Sequence, residues 1–202
     1  MTKADTPQLS PREWFKDLVG LFPTEEMVGS DFDVIAEGDV PPSYAGLLVH
    51  DSHMTRALEK TYGSAVNLHV LEVFKADPFY ARRLYLSVGD GETSSGSRDA
   101  AVLAGIMRIN LNVCHTDVRN LIVDANTPLG RVLLENNVLT RVQTVAYLKL
   151  AQNTTLASLF QSTDTAAPAY GRLAMIFCDG EPAVELLEIV SPQIPPDRSK
   201  KE

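Results

Sequence analysis

The chain has 202 residues, 45% of them apolar and 22% charged, with a formal charge of −8. That length suffices to bury a full core in one domain, and that composition excludes disorder as the main state. No apolar run reaches the ~18 residues of a membrane span, and the acidic balance argues against a nucleic-acid partner.

The first segment, MTKADTPQLS, lacks the apolar centre of a signal peptide, so a cytoplasmic location is expected. Ser10-Pro11-Arg12-Glu13 then reads as a helix start, with serine at the cap and glutamate three residues on. The short amphipathic helix that follows carries Trp14, Phe15, Leu18 and Leu21 as a docking stripe. Residues 23–45 read as irregular up to the Pro41-Pro42 break. Asp51-Ser52 caps a helix through Met54, Leu58 and Lys60 that ends at Gly63. Val66 to Phe74 and Tyr80 to Val88 alternate as strands, and the Gly- and Ser-rich stretch from Gly89 to Arg98 reads as a hairpin loop before a third strand, Val102 to Leu111. Thr116 to Asp124 is a helix, a second starts at Thr127-Pro128, and Leu139 to Leu150 is a long strand. After a short helix from Thr154 to Gln161, the strands Tyr170 to Cys178 and Pro182 to Val190 close a hairpin at Asp179-Gly180. Hairpin-joined strands with inserted helices predict an α+β fold, an antiparallel sheet covered by helices on one side. The expected organisation is an N-terminal extension (1–44) with one short helix, a domain over 45–192, and a polar tail (193–202).

The cations are unevenly spread. Between residues 82 and 172 stand Arg82, Arg83, Arg98, Arg108, Arg119, Arg131, Arg141 and Arg172, against a single lysine, Lys149. Arginine grips carboxylates with a flat, permanently charged fork, so an anionic ligand and structural ion pairs both fit this pattern. Arg82 shares a strand face with Tyr80, Leu84, Leu86 and Val88, and a guanidinium there needs a carboxylate partner or a ligand. In the last strand Glu185 lies with Ala183, Leu187 and Ile189, while Glu188 lies with Val184, Leu186 and Val190. A half-buried carboxylate of this kind holds its proton nearer neutrality, and the strand alone does not choose between the two. At Thr127-Pro128-Leu129-Gly130-Arg131, capping by Thr127 leaves the Leu129 and Gly130 amides as free donors, and Gly130 opens the backbone to a ligand. Ordinary capping is the commoner use of such a sequence. His50, His53, His69 and His115, like Cys114 and Cys178, match no metal-ligand spacing, so metal binding is not expected.

Asp51-Ser52-His53-Met54-Thr55-Arg56, Tyr80-Ala81-Arg82-Arg83, Thr127 to Leu133 with Leu139-Thr140-Arg141, and Gly180 to Leu186 resemble, in order and spacing, the chorismate pyruvate-lyase family. The resemblance covers about residues 45–192. It implies a six-stranded antiparallel sheet flanked by helices, with a ligand enclosed beneath helical flaps. It also implies a reaction: chorismate loses its enolpyruvyl side chain as pyruvate and aromatises to 4-hydroxybenzoate, driven by positioning and charge stabilisation without a cofactor. Carried over by position, Arg82 and the Leu129 amide would hold the ring carboxylate, Met54 would line the pocket, and Glu185 would assist departure of the ring oxygen. The chain departs from the family at His53, an extra residue, and at Ile106, where the ubiquinone-pathway enzymes have arginine. Arg108 lies two residues on and is the expected replacement. The same fold resembles the effector-sensing domain of some bacterial transcription regulators, so a non-catalytic binder of a small aromatic carboxylate is the alternative. A homodimer, docked through the N-terminal helix, is a further expectation.

Overall fold

The structure is a computed structural model that describes residues 9–23, 29, 31–89 and 100–195. Helix α1 (Pro11–Gly20) starts as its sequence predicts. The Glu13 amide donates to Ser10 Oγ, and the Ser10 amide donates back to the Glu13 carboxylate at 2.8 Å. Strand β1 (Phe32–Ile35), helices α2 (Pro42–Leu48) and α3 (Met54–Tyr62), and strands β2 (Val66–Ala76), β3 (Phe79–Val88) and β4 (Ala101–Asn110) follow. Then come α4 (Thr116–Asp124), α5 (Leu129–Glu135), β5 (Thr140–Leu150), α6 (Thr154–Phe160), β6 (Ala169–Cys178) and β7 (Glu181–Val190).

One antiparallel sheet takes all seven strands in the order β1-β5-β6-β7-β4-β3-β2. The hairpins β2–β3 and β6–β7 and the β3–β4 pair fall where the alternating residues put them. Asp179 and Gly180 turn the β6–β7 hairpin with φ of 50° and 89°, the left-handed pair that a two-residue turn requires.

Two expectations are corrected. The region expected to be irregular contains β1 and the start of α2, and β1 raises the strand count from six to seven. In Asp31-Phe-Asp-Val-Ile the apolar alternation is broken by acids, and only Phe32 is buried. Phe32 packs under α1, its ring centroid 4.2 Å from that of Phe15, so tertiary contact makes this strand rather than its own pattern. The helices also cover both faces of the sheet, not one. Residues of α2, α3, α4 and α5 share a core with Tyr80, Met107 and Leu186 on what is here called the front face. Trp14, Phe15 and Leu18 of α1 and Leu156 and Phe160 of α6 share a second core with Ala81, Ile106 and Leu187 behind the sheet. The expected loop at 89–98 lies outside the described residues beyond Gly89, as does the tail from residue 196. Among the described residues no helix is long and apolar enough to cross a membrane.

Candidate functional site

Alternation along β3 turns Tyr80, Arg82, Leu84 and Leu86 to the front face, as their shared parity predicts. There α3 and α5 roof a cavity of about 60 Å³. Its walls are mostly Leu, Ile, Val and Met, with five polar exceptions: Arg82, Arg172, Glu188, His53 and Thr55. An apolar cavity that takes up benzene measures roughly 150 Å³. An aromatic acid therefore enters only with an outward shift of the roof.

Arg82 is 1% exposed. Its Nη1 donates to the Ile122 carbonyl at 3.5 Å, a long bond, and its Nε has no acceptor among the described residues. No carboxylate among the described residues forms a salt bridge with it. Burial pulls the guanidinium below its ordinary pKa, and the neighbouring Tyr80 opposes the fall. Arginine stays protonated regardless, so a positive charge lines the cavity without a counter-ion among the described residues.

Met54 and Leu129 line the same cavity from α3 and α5, and Gly130 lies beside them. Two local details differ from expectation. Helix α3 is capped by His53 and α5 by Pro128, neither through a side chain, so Thr127 makes no capping bond and the first-turn amides of α5 lack a side-chain acceptor. Gly130, moreover, is small for packing. A Cβ there would lie 3.0 Å from both His53 Cβ and Thr55 Oγ1, so its missing side chain lets α3 and α5 approach.

Glu185 and Arg108 are not at this cavity, which corrects their placement. Both project behind the sheet, where they pair across β4 and β7, and Arg108 Nη2 also meets Asp17 of α1 at 2.6 Å. The hydrogen bond that Arg108 donates to Glu185 is the first cause that raises the Arg108 pKa, with Asp17 adding to it. Arg108 therefore replaces no cavity arginine. It tethers α1.

The cavity holds Glu188 instead, with Arg172, which sequence reasoning left among the undifferentiated arginines. The two stand opposite each other in the β6–β7 register. Arg172 Nε donates to Glu188 Oε2 at 2.7 Å, and its Nη1 donates to the carbonyls of Leu48 and His50 at 3.2 and 3.0 Å. Arg172 is wholly buried and its Nη2 has no partner among the described residues. The signal that marked Arg82 marks Arg172 too: Ala174 and Ile176 share its strand face. His53 completes the polar set, its Nε2 paired with Thr140 Oγ1 at 2.9 Å. Burial is the main cause that lowers the His53 pKa; Glu188 opposes it and Arg172 adds to it.

No protein-family model matches the chain, and no curated protein matches it. Among solved structures, the chain is similar to the ligand-binding domain of a regulator assigned to the GntR family from Bordetella bronchiseptica. The identity is 13% and the TM-score 0.46, over 64% of this chain and 87% of that domain. The effector domain of PhnF from Mycobacterium smegmatis is 12% identical with a TM-score of 0.46, over 70% and 89%. The C-terminal domain of the histidine utilization repressor from Pseudomonas syringae is 10% identical with a TM-score of 0.42, over 64% and 94%.

Proposed function

We propose that the protein binds a small organic carboxylate, aromatic acids among them, in the cavity beneath α3 and α5, with Arg82 as the anion anchor. One observation carries this: a guanidinium 1% exposed, without a carboxylate partner among the described residues, on the wall of a mostly apolar cavity. A buried charge without a counter-ion is costly, and a bound carboxylate removes that cost. The apolar walls match the body of such an acid and the arginine its head. The role is binding or sensing. The anchor is in place, whereas the cavity's one carboxylate is already held in an ion pair.

The test is calorimetric titration with 4-hydroxybenzoate, benzoate and short aliphatic acids. Arg82→Gln weakens binding by roughly 30-fold, the worth of one charge-assisted contact. It leaves the melting temperature unchanged or higher, because it removes an uncompensated charge. Equal affinity in the variant overturns the reading.

A second reading, cleavage of chorismate to a hydroxybenzoate and pyruvate, draws support from Glu188, an acid on the wall that also carries Arg82. In that reading Glu188 takes the role that the resemblance assigned to Glu185. Pyruvate release above the uncatalysed background, lost in both Arg82→Gln and Glu188→Gln, selects it over simple binding.

A further inference from the structure

The far end of the cavity has a chemistry of its own. Arg82 lies opposite Met107 across β3 and β4, Met107 lies opposite Leu186 across β4 and β7, and Glu188 follows two residues on. Two strand spacings and two residues of rise separate the Arg82 and Glu188 Cα atoms by roughly 12 Å on one face. Their side chains extend over the same small cavity, so a ligand a few bonds long spans from one head to the other.

At that far end two polar atoms of the lining residues have no partner among the described residues. Glu188 Oε2 is taken by Arg172, but Oε1 is bonded to no described residue, and the side chain keeps 10% exposure. Arg172 Nη2, fully buried, has a donor and no acceptor. One acceptor and one donor thus stand together, in a pair whose charges cancel. Of the charged side chains around the cavity, only Arg82 is left to set the net charge, which is positive by one unit.

Resting on the reading of Arg82 as a carboxylate anchor, we infer that the Arg172–Glu188 pair selects the ligand's other end. It accepts a neutral group that both donates and accepts, such as a carboxamide or hydroxyl, and rejects a second carboxylate. A carboxamide gives N–H to Glu188 Oε1 and takes N–H from Arg172 Nη2, satisfying both atoms. A second carboxylate only accepts, sets like charges face to face at Glu188 Oε1, and overshoots the single positive charge by one. Arg172 acts here as a positioning residue as well, because its bonds to Leu48 and His50 carbonyls fix the guanidinium that holds Glu188.

Isosteric ligand pairs test this without a change of size. The full chain is titrated with 4-carbamoylbenzoate against terephthalate, and with succinamate against succinate, at neutral pH. The wild type binds each monoamide roughly 30-fold more tightly than its dianion, the scale of one like-charge contact. Glu188→Gln brings each ratio to within about threefold by strengthening the dianion, since the opposing charge is gone. Arg172→Gln combined with Glu188→Gln keeps the pair's charge balance and lowers the ratios in the same way, which covers the case of a single variant that does not fold. Dianions bound as tightly as monoamides by the wild type, or ratios unchanged in a folded variant, overturn the inference while the anchor reading stands. Binding of neither ligand of either pair to the wild type overturns the anchor reading itself. Chorismate carries two carboxylates, so a wild-type preference for monoanions also weighs against the lyase reading.

Discussion

On strand β7 two carboxylates three residues apart, Glu185 and Glu188, each meet an arginine on a neighbouring strand. On the front face Glu188 pairs with Arg172; on the back face Glu185 pairs with Arg108. The covers differ. Behind the sheet α1 brings Asp17 to Arg108, so one guanidinium answers two carboxylates, and the cluster is half open, with Asp17 47% exposed. In front, the pair is buried and a second arginine, Arg82, lines the same cavity without a carboxylate partner among the described residues, so two guanidiniums stand against one carboxylate. The back-face cluster carries an excess of negative charge and is complete as it stands. The front-face cluster carries an excess of positive charge and is complete only with an anion. The same residue pair is therefore structural on one face and ligand-directed on the other, according to what the helices place next to it.

The largest test of that contrast is Arg172→Ala. It leaves Glu188 desolvated and unpaired and frees the Leu48 and His50 carbonyls, so it destabilises by roughly 3–5 kcal/mol in urea unfolding. Arg108→Ala exposes its partners to water and costs under about 1 kcal/mol. Equal costs would mean that the two clusters are equally wet.

Much of this arrangement was readable in the residues. Strand parity put Arg82 on the cavity wall with Leu84 and Leu86, and Ser10 with Glu13 marked the start of α1. What failed was the choice between Glu185 and Glu188. Both sit among apolar neighbours, because both faces of this sheet are buried, and burial on both sides erases the alternation that tells inside from outside. The resemblance chose by spacing from Gly180, whereas Glu188 is chosen by its cross-strand partner Arg172, a long-range fact. Strand β1 was hidden for a related reason: its one buried residue, Phe32, is held by Phe15 of a helix elsewhere in the chain.

On the back face, Leu18→Ala empties a wholly buried site beneath α1 and costs about 3 kcal/mol. Because α1 contributes nothing to the cavity, carboxylate affinity is unchanged in the folded variant. A loss of affinity would tie α1 to the front face and dissolve the contrast.

Acid titration separates the faces by a smaller margin. His50 and His53 lie beside the Arg172–Glu188 pair, and burial lowers both from the ordinary 6.5. The folded chain then sheds these protons more readily than the unfolded chain, so between the lowered values and 6.5 the unfolded state binds more protons and stability rises with pH. Their contribution is full above about 6.5 and falls as the pH drops towards the folded values. Urea midpoints decline over that window in the wild type and decline less in His53→Asn; superimposable pH profiles would remove His53 as a cause.

The smallest effect expected is that of Glu185→Gln. Arg108 keeps Asp17 after the substitution, and Glu185 is 21% exposed in a cluster that water reaches, so the stability change is at most about 0.5–1 kcal/mol and shrinks as salt is added. The sheet separates this carboxylate from the cavity, and sites without shared partners act independently to within a few tenths of a kcal/mol, so carboxylate affinity stays within about twofold of the wild type. Measured beside Glu188→Gln, three residues along the same strand, this is the sharpest form of the comparison. If Glu185→Gln weakens binding tenfold and Glu188→Gln does not, the ligand lies behind the sheet, and the family-derived choice of acid was right after all.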